Sequence, residues 1–370
     1  MRQQEYRPDS KVVVAAVLAV AAAYVYFLIF AQFGFLRAVQ AGAPGAVKSV
    51  MGVMGLAGVA GSVLAARVFA VQRSRQRLKA GFFVCAAAAG LALSAGTSGG
   101  FHLVSLLLGL GTGFTTVTLA GVLRPAVGGR RLGTIIGGGT GLAYGFCNLP
   151  GIFSASVNVQ AGVAVLAAAI GVAATGALGS DAADRDPAGS DYSMGGVVCW
   201  VLLLAALVCL DSAAFYLIQQ TPALKEGTWT GAGRLAANAG LHLMAAVLAG
   251  LALDRRWLGR VALTGTGALL AGIWLILAGG EWNAAGALLY VAGVSAYSTL
   301  LVFYAAGSGR PGLAALVYAV AGWGGSALGI GLVENRAVAP GGLMVAAGAI
   351  VAGALLGRHV VCRRAGGSGK

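Results

Sequence analysis

The sequence predicts an all-α membrane protein, with twelve transmembrane helices in two sets of six. Three observations carry that prediction. Hydrophobic residues make up 58% of the chain and charged residues only 10%, with a mean hydropathy of +0.85. A soluble domain carries about 25% charged residues, so lipid must cover most of this surface. The apolar residues fall into runs close to the roughly 20 residues that one crossing needs, and the basic residues concentrate in alternate connections between them.

In chain order, the runs cover residues 12–35, 46–71, 80–95, 101–123, 133–153 and 159–178, then 196–219, 231–253, 258–278, 283–307, 311–333 and 340–361. The first is about 24 residues long and follows a basic N-terminus. A signal-peptide core is about 7–15 residues, so this run reads as a retained helix. Short linkers between the runs make neighbouring helices antiparallel. The longest polar segment, residues 179–195, contains Asp181, Asp184, Arg185, Asp186, Pro187 and Asp191. It reads as an acidic cytoplasmic linker between an N-terminal unit, 1–178, and a C-terminal unit, 196–370.

Charge sets the orientation. With the N-terminus inside, 20 of the 25 Lys and Arg residues lie on the inner side, leaving Arg37, Lys48, Lys225, Arg234 and Arg336 outside. That imbalance predicts cytoplasmic termini and an even number of spans. Trp229 and Trp282 fall in outer loops, and Trp200 and Trp257 near the inner face, where interfacial aromatics belong. The net charge of +14 thus follows from topology and from anionic inner-leaflet lipid. A nucleic-acid partner is excluded, because no basic groove is interleaved with aromatics. Cys85, Cys147, Cys199, Cys209 and Cys362 show no C-x-x-C spacing and read as packing residues.

A repeat crosses the linker. The second run ends Gly61-Ser-Val-Leu-Ala65-Ala-Arg67, and the eighth ends Gly250-Leu-Ala-Leu-Asp254-Arg255-Arg256-Trp-Leu-Gly259-Arg260. Gly61 matches Gly250 and Ala65 matches Asp254. The segment from Gly250 to Arg260 resembles the Gly-x-x-x-Asp-Arg-x-Gly-Arg loop of the major facilitator superfamily, in its second-half copy. Twelve spans, six-plus-six division, central acidic linker and inner termini resemble that superfamily over the whole chain. The first-half copy departs from it, with Ala65 in the acidic position. The resemblance implies a conformational latch: Asp254 at a neighbouring helix end, with Arg255, Arg256 and Arg260 pairing across the two halves in one conformation.

Glycine recurs every four residues at Gly137, Gly141 and Gly145 on the fifth run, and at Gly325 and Gly329 on the eleventh. Such faces let helices approach closely in lipid, where packing drives association.

The seventh run carries a carboxylate, Asp211, well inside its apolar stretch. An ionised group at the bilayer centre costs about 2.5–3.5 kcal/mol on insertion scales, so it faces protein or water and marks a function. Rise per residue places His242, Asn148 and Tyr290 at similar depth. Tyr24, Tyr26, Gln32, Tyr216, Gln219 and Gln220 supply polar groups nearby, and Trp323 falls mid-way along the eleventh run. In the resembling superfamily the helices bearing these residues line one central cavity.

No paired-carboxylate site, phosphate loop or H-E-x-x-H occurs, so no enzyme is expected, and no cofactor or resident metal. The expected function is secondary active transport of a small solute by alternating access, coupled to protons through Asp211. A lone buried acid favours neutral or cationic solutes over anions. The rivals are a soft-metal, copper-type importer, suggested by His242, Met244 and nearby cysteines, and a non-transporting assembly factor. The expected setting is a monomer in a bacterial inner membrane, its partners a small-molecule substrate, protons and lipid.

Overall fold

A computed structural model describes residues 9–178, 192–335 and 340–367. The predicted linker lies mostly outside the described residues, as do Arg2, Arg7, Arg185, Arg336 and Lys370. The long helices are α1 (Ser10–Gly42), α2 (Pro44–Val68), α3 (Ser74–Ala92), α4 (Ser98–Val127), α5 (Leu132–Cys147) and α6 (Val157–Ala177). They continue as α7 (Met194–Gln220), α8 (Ala232–Asp254), α9 (Leu258–Ala278), α10 (Asn283–Gly307), α11 (Pro311–Glu334) and α12 (Pro340–Gly367).

Ten helices among the described residues are long and apolar enough to cross a membrane. The two outside that set coincide with the third and fifth predicted runs. Helix α3 opens on a basic turn containing Arg75, Arg77 and Lys79, and α5 is only 16 residues long.

Local chemistry sets several boundaries. Asp9, Thr97, Ser156 and Ser193 cap α1, α4, α6 and α7, each side chain accepting a backbone N–H two or three residues on. Helix α4 stops at Gly128 and α9 at Gly279, at φ of 74° and 72°, where a Cβ would be strained. Helix α5 ends at Cys147, six residues before the predicted end. Pro150 forces Leu149 out of the helical region, to ψ 133°, and a separate turn, Pro150–Phe153, follows.

Two long helices change winding in their middles. Tyr26–Gly34 of α1 and Val317–Gly324 of α11 are π-helical. Phe27 and Trp323, one on each segment, meet edge to face with centroids 6.3 Å apart.

Among the first six helices, α4 packs against α2 and α3, and α1 against α5 and α6; among the last six, α9 packs on α10, and α11 and α12 on α7. The two sets meet mainly where α5 lies on α8, α11 on α2, and α10 on α4 and α5. Small residues make the α5–α8 seam possible. A Cβ on Gly133 would strike the Gly250 carbonyl, one on Gly137 the Ala246 carbonyl, and those on Gly141 and Gly145 would press on Leu243 and Ala239. The predicted four-residue stripe is therefore a contact face between the sets, extended one step to Gly133. Gly325 and Gly329 do the same for α11, against Ala205, Val208 and Cys209 of α7.

Candidate substrate and coupling site

Asp211 sits on α7 facing α10. Tyr290 donates its hydroxyl to one carboxylate oxygen at 2.5 Å, and Tyr297 donates to the other. The donors lie seven residues apart, two helical turns on the same face of α10, so they clamp the carboxylate from above and below. Asp211 itself remains partly accessible, whereas both tyrosines are buried. Its neighbour Ser212 turns the other way and donates to Ser326 of α11 at 3.0 Å.

A second set of polar groups joins α5 to α8 and α10 beside this clamp. The His242 Nδ1 lies 2.7 Å from the Ser295 hydroxyl on α10. Its ring stacks on Tyr144 of α5, with centroids 4.7 Å apart and planes 16° off parallel. The Tyr144 hydroxyl meets that of Ser298 at 2.9 Å, and Thr140 meets Thr299 at 3.1 Å. Tyr144 is also within electrostatic range of Asp211. Helix α10 thus presents Tyr290, Ser295, Tyr297, Ser298 and Thr299 to partners on α5, α7 and α8.

Aromatic rings lead from this centre toward the end of α7 farther from Arg255 and Arg256. Trp229 contacts Tyr290 with centroids 6.0 Å apart, and Phe215 contacts Trp229 at 5.3 Å. Phe33 of α1 contacts Phe215 at 5.6 Å and Phe153 at 5.1 Å. Trp229 is fixed from its own segment: Thr228 bonds Asn283 at 3.4 Å, and Asn238 donates to the Thr228 carbonyl at 3.1 Å.

Of the residues singled out in the sequence, Asp211, His242 and Tyr290 come together here, and Tyr24 joins them through Tyr144, 6.4 Å away. Trp323 lies at the α2–α11 seam, its ring filling the space above Gly58. Tyr216 is within electrostatic range of Glu334 and Lys48 near the far end of α7. Gln32 is half-buried on the π-helical stretch of α1, and Gln219 buries its amide nitrogen without a hydrogen-bond partner among the described residues.

Two assignments change. Tyr26 faces the interior of the first half, where it lines a small void with Cys85, Thr112 and Thr115. Two residues of helix rotate a side chain by about 200°, so Tyr24 and Tyr26 cannot share a face. Asn148 is the C-cap of α5, its amide donating to the Tyr144 carbonyl at 2.9 Å. It stands at the helix end because Pro150 cuts α5 short.

At the basic end, Asp254 closes the α5–α8 seam. It accepts the backbone N–H of Gly133 at 2.6 Å, that of Thr134 at 2.8 Å and the Thr134 hydroxyl at 2.5 Å. Its negative charge caps the first turn of α5, where unpaired N–H groups and the helix dipole favour an anion. Gly250, one turn earlier, lets the backbones touch. The predicted arginine partners behave differently. Arg255, in the turn after α8, and Arg260, in the first turn of α9, lie over the ring of Trp257 at 5.5 and 4.7 Å, and Arg256 takes a positive φ of 62°. Across the same end, Arg124 of α4 donates to the Gly307 carbonyl of α10. At the opposite end, Lys48 of α2 pairs with Glu334 of α11 at 3.4 Å.

Among the described residues, no three His, Cys, Asp or Glu side chains gather as a metal site. Met244 is 56% exposed on α8, while His242 is buried on another face.

No family model matches the chain, and no curated protein matches it in sequence. Solved structures do share its fold. The human organic anion transporter MFSD10 (TETRAN) matches with a TM-score of 0.65 at 15% identity, over 95% of this chain and 100% of that one. A bacterial homologue of the iron transporter ferroportin, in an outward-facing state with soaked iron, matches with a TM-score of 0.59 at 12% identity, over 97% and 99% of the two chains. The chain shares its fold with these two transporter structures over nearly its whole length.

Proposed function

We propose that this protein is a secondary transporter in which two six-helix halves, divided by the acidic linker, rock about the α5–α8 and α2–α11 seams. The N- and C-termini and the Asp254 seam lie on the cytoplasmic side, in accord with the distribution of basic residues. The observation that carries the reading is Asp211, a partly accessible intramembrane carboxylate whose two oxygens are held by Tyr290 and Tyr297. A carboxylate at this depth, without a fixed cationic partner among the described residues, is suited to gain and lose a proton as water reaches it from one side and then the other. The titratable groups facing it are Tyr290 and Tyr297 of α10 and Tyr144 of α5. The other helices on α7 bring Ser326 against Ser212 and, at opposite ends, Glu334 near Tyr216 and Arg358 over Trp200.

The contacts at both ends support alternating access. Asp254 and Arg124 join the halves at the basic end; Lys48–Glu334 and Phe33–Phe215 join them at the other. Each set must separate for the centre to open on that side. The test is solute uptake into proteoliposomes under an imposed pH gradient. Gradient-driven accumulation abolished by Asp211→Asn, with equilibrative exchange retained, supports the coupling; full accumulation by that variant removes it.

A further inference from the structure

The charge at the centre is unbalanced, and the surroundings say what would balance it. Among the described residues no lysine or arginine pairs with Asp211, whose carboxylate partners are Tyr290 and Tyr297. His242, the basic side chain in the neighbouring polar group, has its Nδ1 on Ser295 and its ring face on Tyr144. Two phenol hydroxyls donating to the carboxylate stabilise its ionised form without neutralising it.

The rings above it are suited to a cation. Phe215 is one turn beyond Asp211 on α7, and Phe33 reaches across from α1; both are partly accessible, as are Tyr144 and Asp211 itself. Aromatic faces attract a cation within about 6 Å of their centroids, more strongly when water is excluded. They give an anion no such attraction, and a bare inorganic cation would find few oxygen ligands here beyond one carboxylate and phenols.

Resting on the transport reading above, we propose that the cargo is an organic cation, a monovalent ammonium or phosphonium with apolar substituents, bound with its charge near Asp211 and its substituents among Phe33, Phe215 and Tyr144. The proton and the cargo then satisfy the same carboxylate in turn, so that entry of one favours release of the other, and the two move in opposite directions.

The test is binding to the purified full-length protein, followed by calorimetry. The probes are tetraphenylphosphonium and a set of alkyl- and aryl-trimethylammonium ions, against neutral triphenylphosphine oxide and anionic tetraphenylborate. At least one cation is expected to bind, to lose affinity to proton competition as pH falls, and to weaken ten-fold or more in Asp211→Asn. Neutral and anionic probes are expected to bind without dependence on residue 211. Phe215→Leu should weaken the cation about two- to thirty-fold, the span from an exposed to a desolvated cation–π contact. Thermal unfolding of each variant shows that it is folded. Cation binding that survives Asp211→Asn unchanged, or absence of binding across the whole set, overturns the proposal. Asp211-dependent uptake of a neutral or anionic solute would overturn it while leaving the transport reading intact.

Discussion

Replacing Asp254 with alanine tests how the basic end is held shut. The carboxylate accepts three hydrogen bonds from Gly133 and Thr134 at 2.5 to 2.8 Å, across the seam where α8 meets the start of α5. A hydrogen bond to a charged group contributes about 1.5–3 kcal/mol, and an anion at a helix N-terminus up to about 2. These overlap, because the N–H donors are themselves the positive end of the dipole, and Asp254 is half-buried, which weakens each. A net loss of about 2 kcal/mol for the closed arrangement is the reasonable sum, equivalent to a roughly 30-fold shift toward forms open at this end. The assay is the distance between spin labels at Val71 and Arg310, both exposed, in a cysteine-free background. Asp254→Ala should convert a predominantly short distance into a distribution with a large longer component, and Asp254→Glu should partly restore it. An unchanged distribution in the alanine variant would refute the assignment of Asp254 as the closing contact.

Three further outcomes follow from the packing. Gly137→Val should destabilise the protein by about 1–3 kcal/mol or abolish folding, because its Cβ would strike the Ala246 backbone, whereas Gly138→Ala, whose Cβ has ordinary contact with Val17, should change thermal stability little. Lys48→Met should cost no more than about 1 kcal/mol, since Lys48 is 72% exposed, and most of that cost should vanish in high salt. Gly58→Leu should drive the Trp323 ring from the α2–α11 seam, which a shift in tryptophan fluorescence would report; an unshifted spectrum would count against that packing.

Much of this arrangement was legible in the chain. Apolar run length located the helices, with the ends of α1, α3, α5 and α12 displaced by six or seven residues, and a four-residue glycine period identified the face of α5 that meets α8. Asp211 stood out because an acid in an apolar run is costly. Tyr290 was placed by depth alone, but its partner Tyr297 was missed although it follows by two turns on the same face. Tyr144 was missed for a related reason: a tyrosine in a glycine-rich helix resembles ordinary packing until its neighbours on α8 and α10 are known. Depth without azimuth also misplaced Tyr26, and overlooking the constraint that Pro150 puts on Leu149 misplaced Asn148. Arg255 and Arg260 show another limit: sequence gives their charge, but in this conformation both lie over Trp257, a local contact that a pattern for inter-half pairing ignores.

The central claim is that residue 211 is reached by water from opposite faces in turn. Its most direct measurement is modification of Asp211→Cys, in a cysteine-free background, by a membrane-impermeant thiol reagent applied to right-side-out or inside-out vesicles. The account predicts labelling from each side, with Asp254→Ala raising the rate from the side of the basic loops. Labelling from neither side, or from one side alone in both backgrounds, would contradict it.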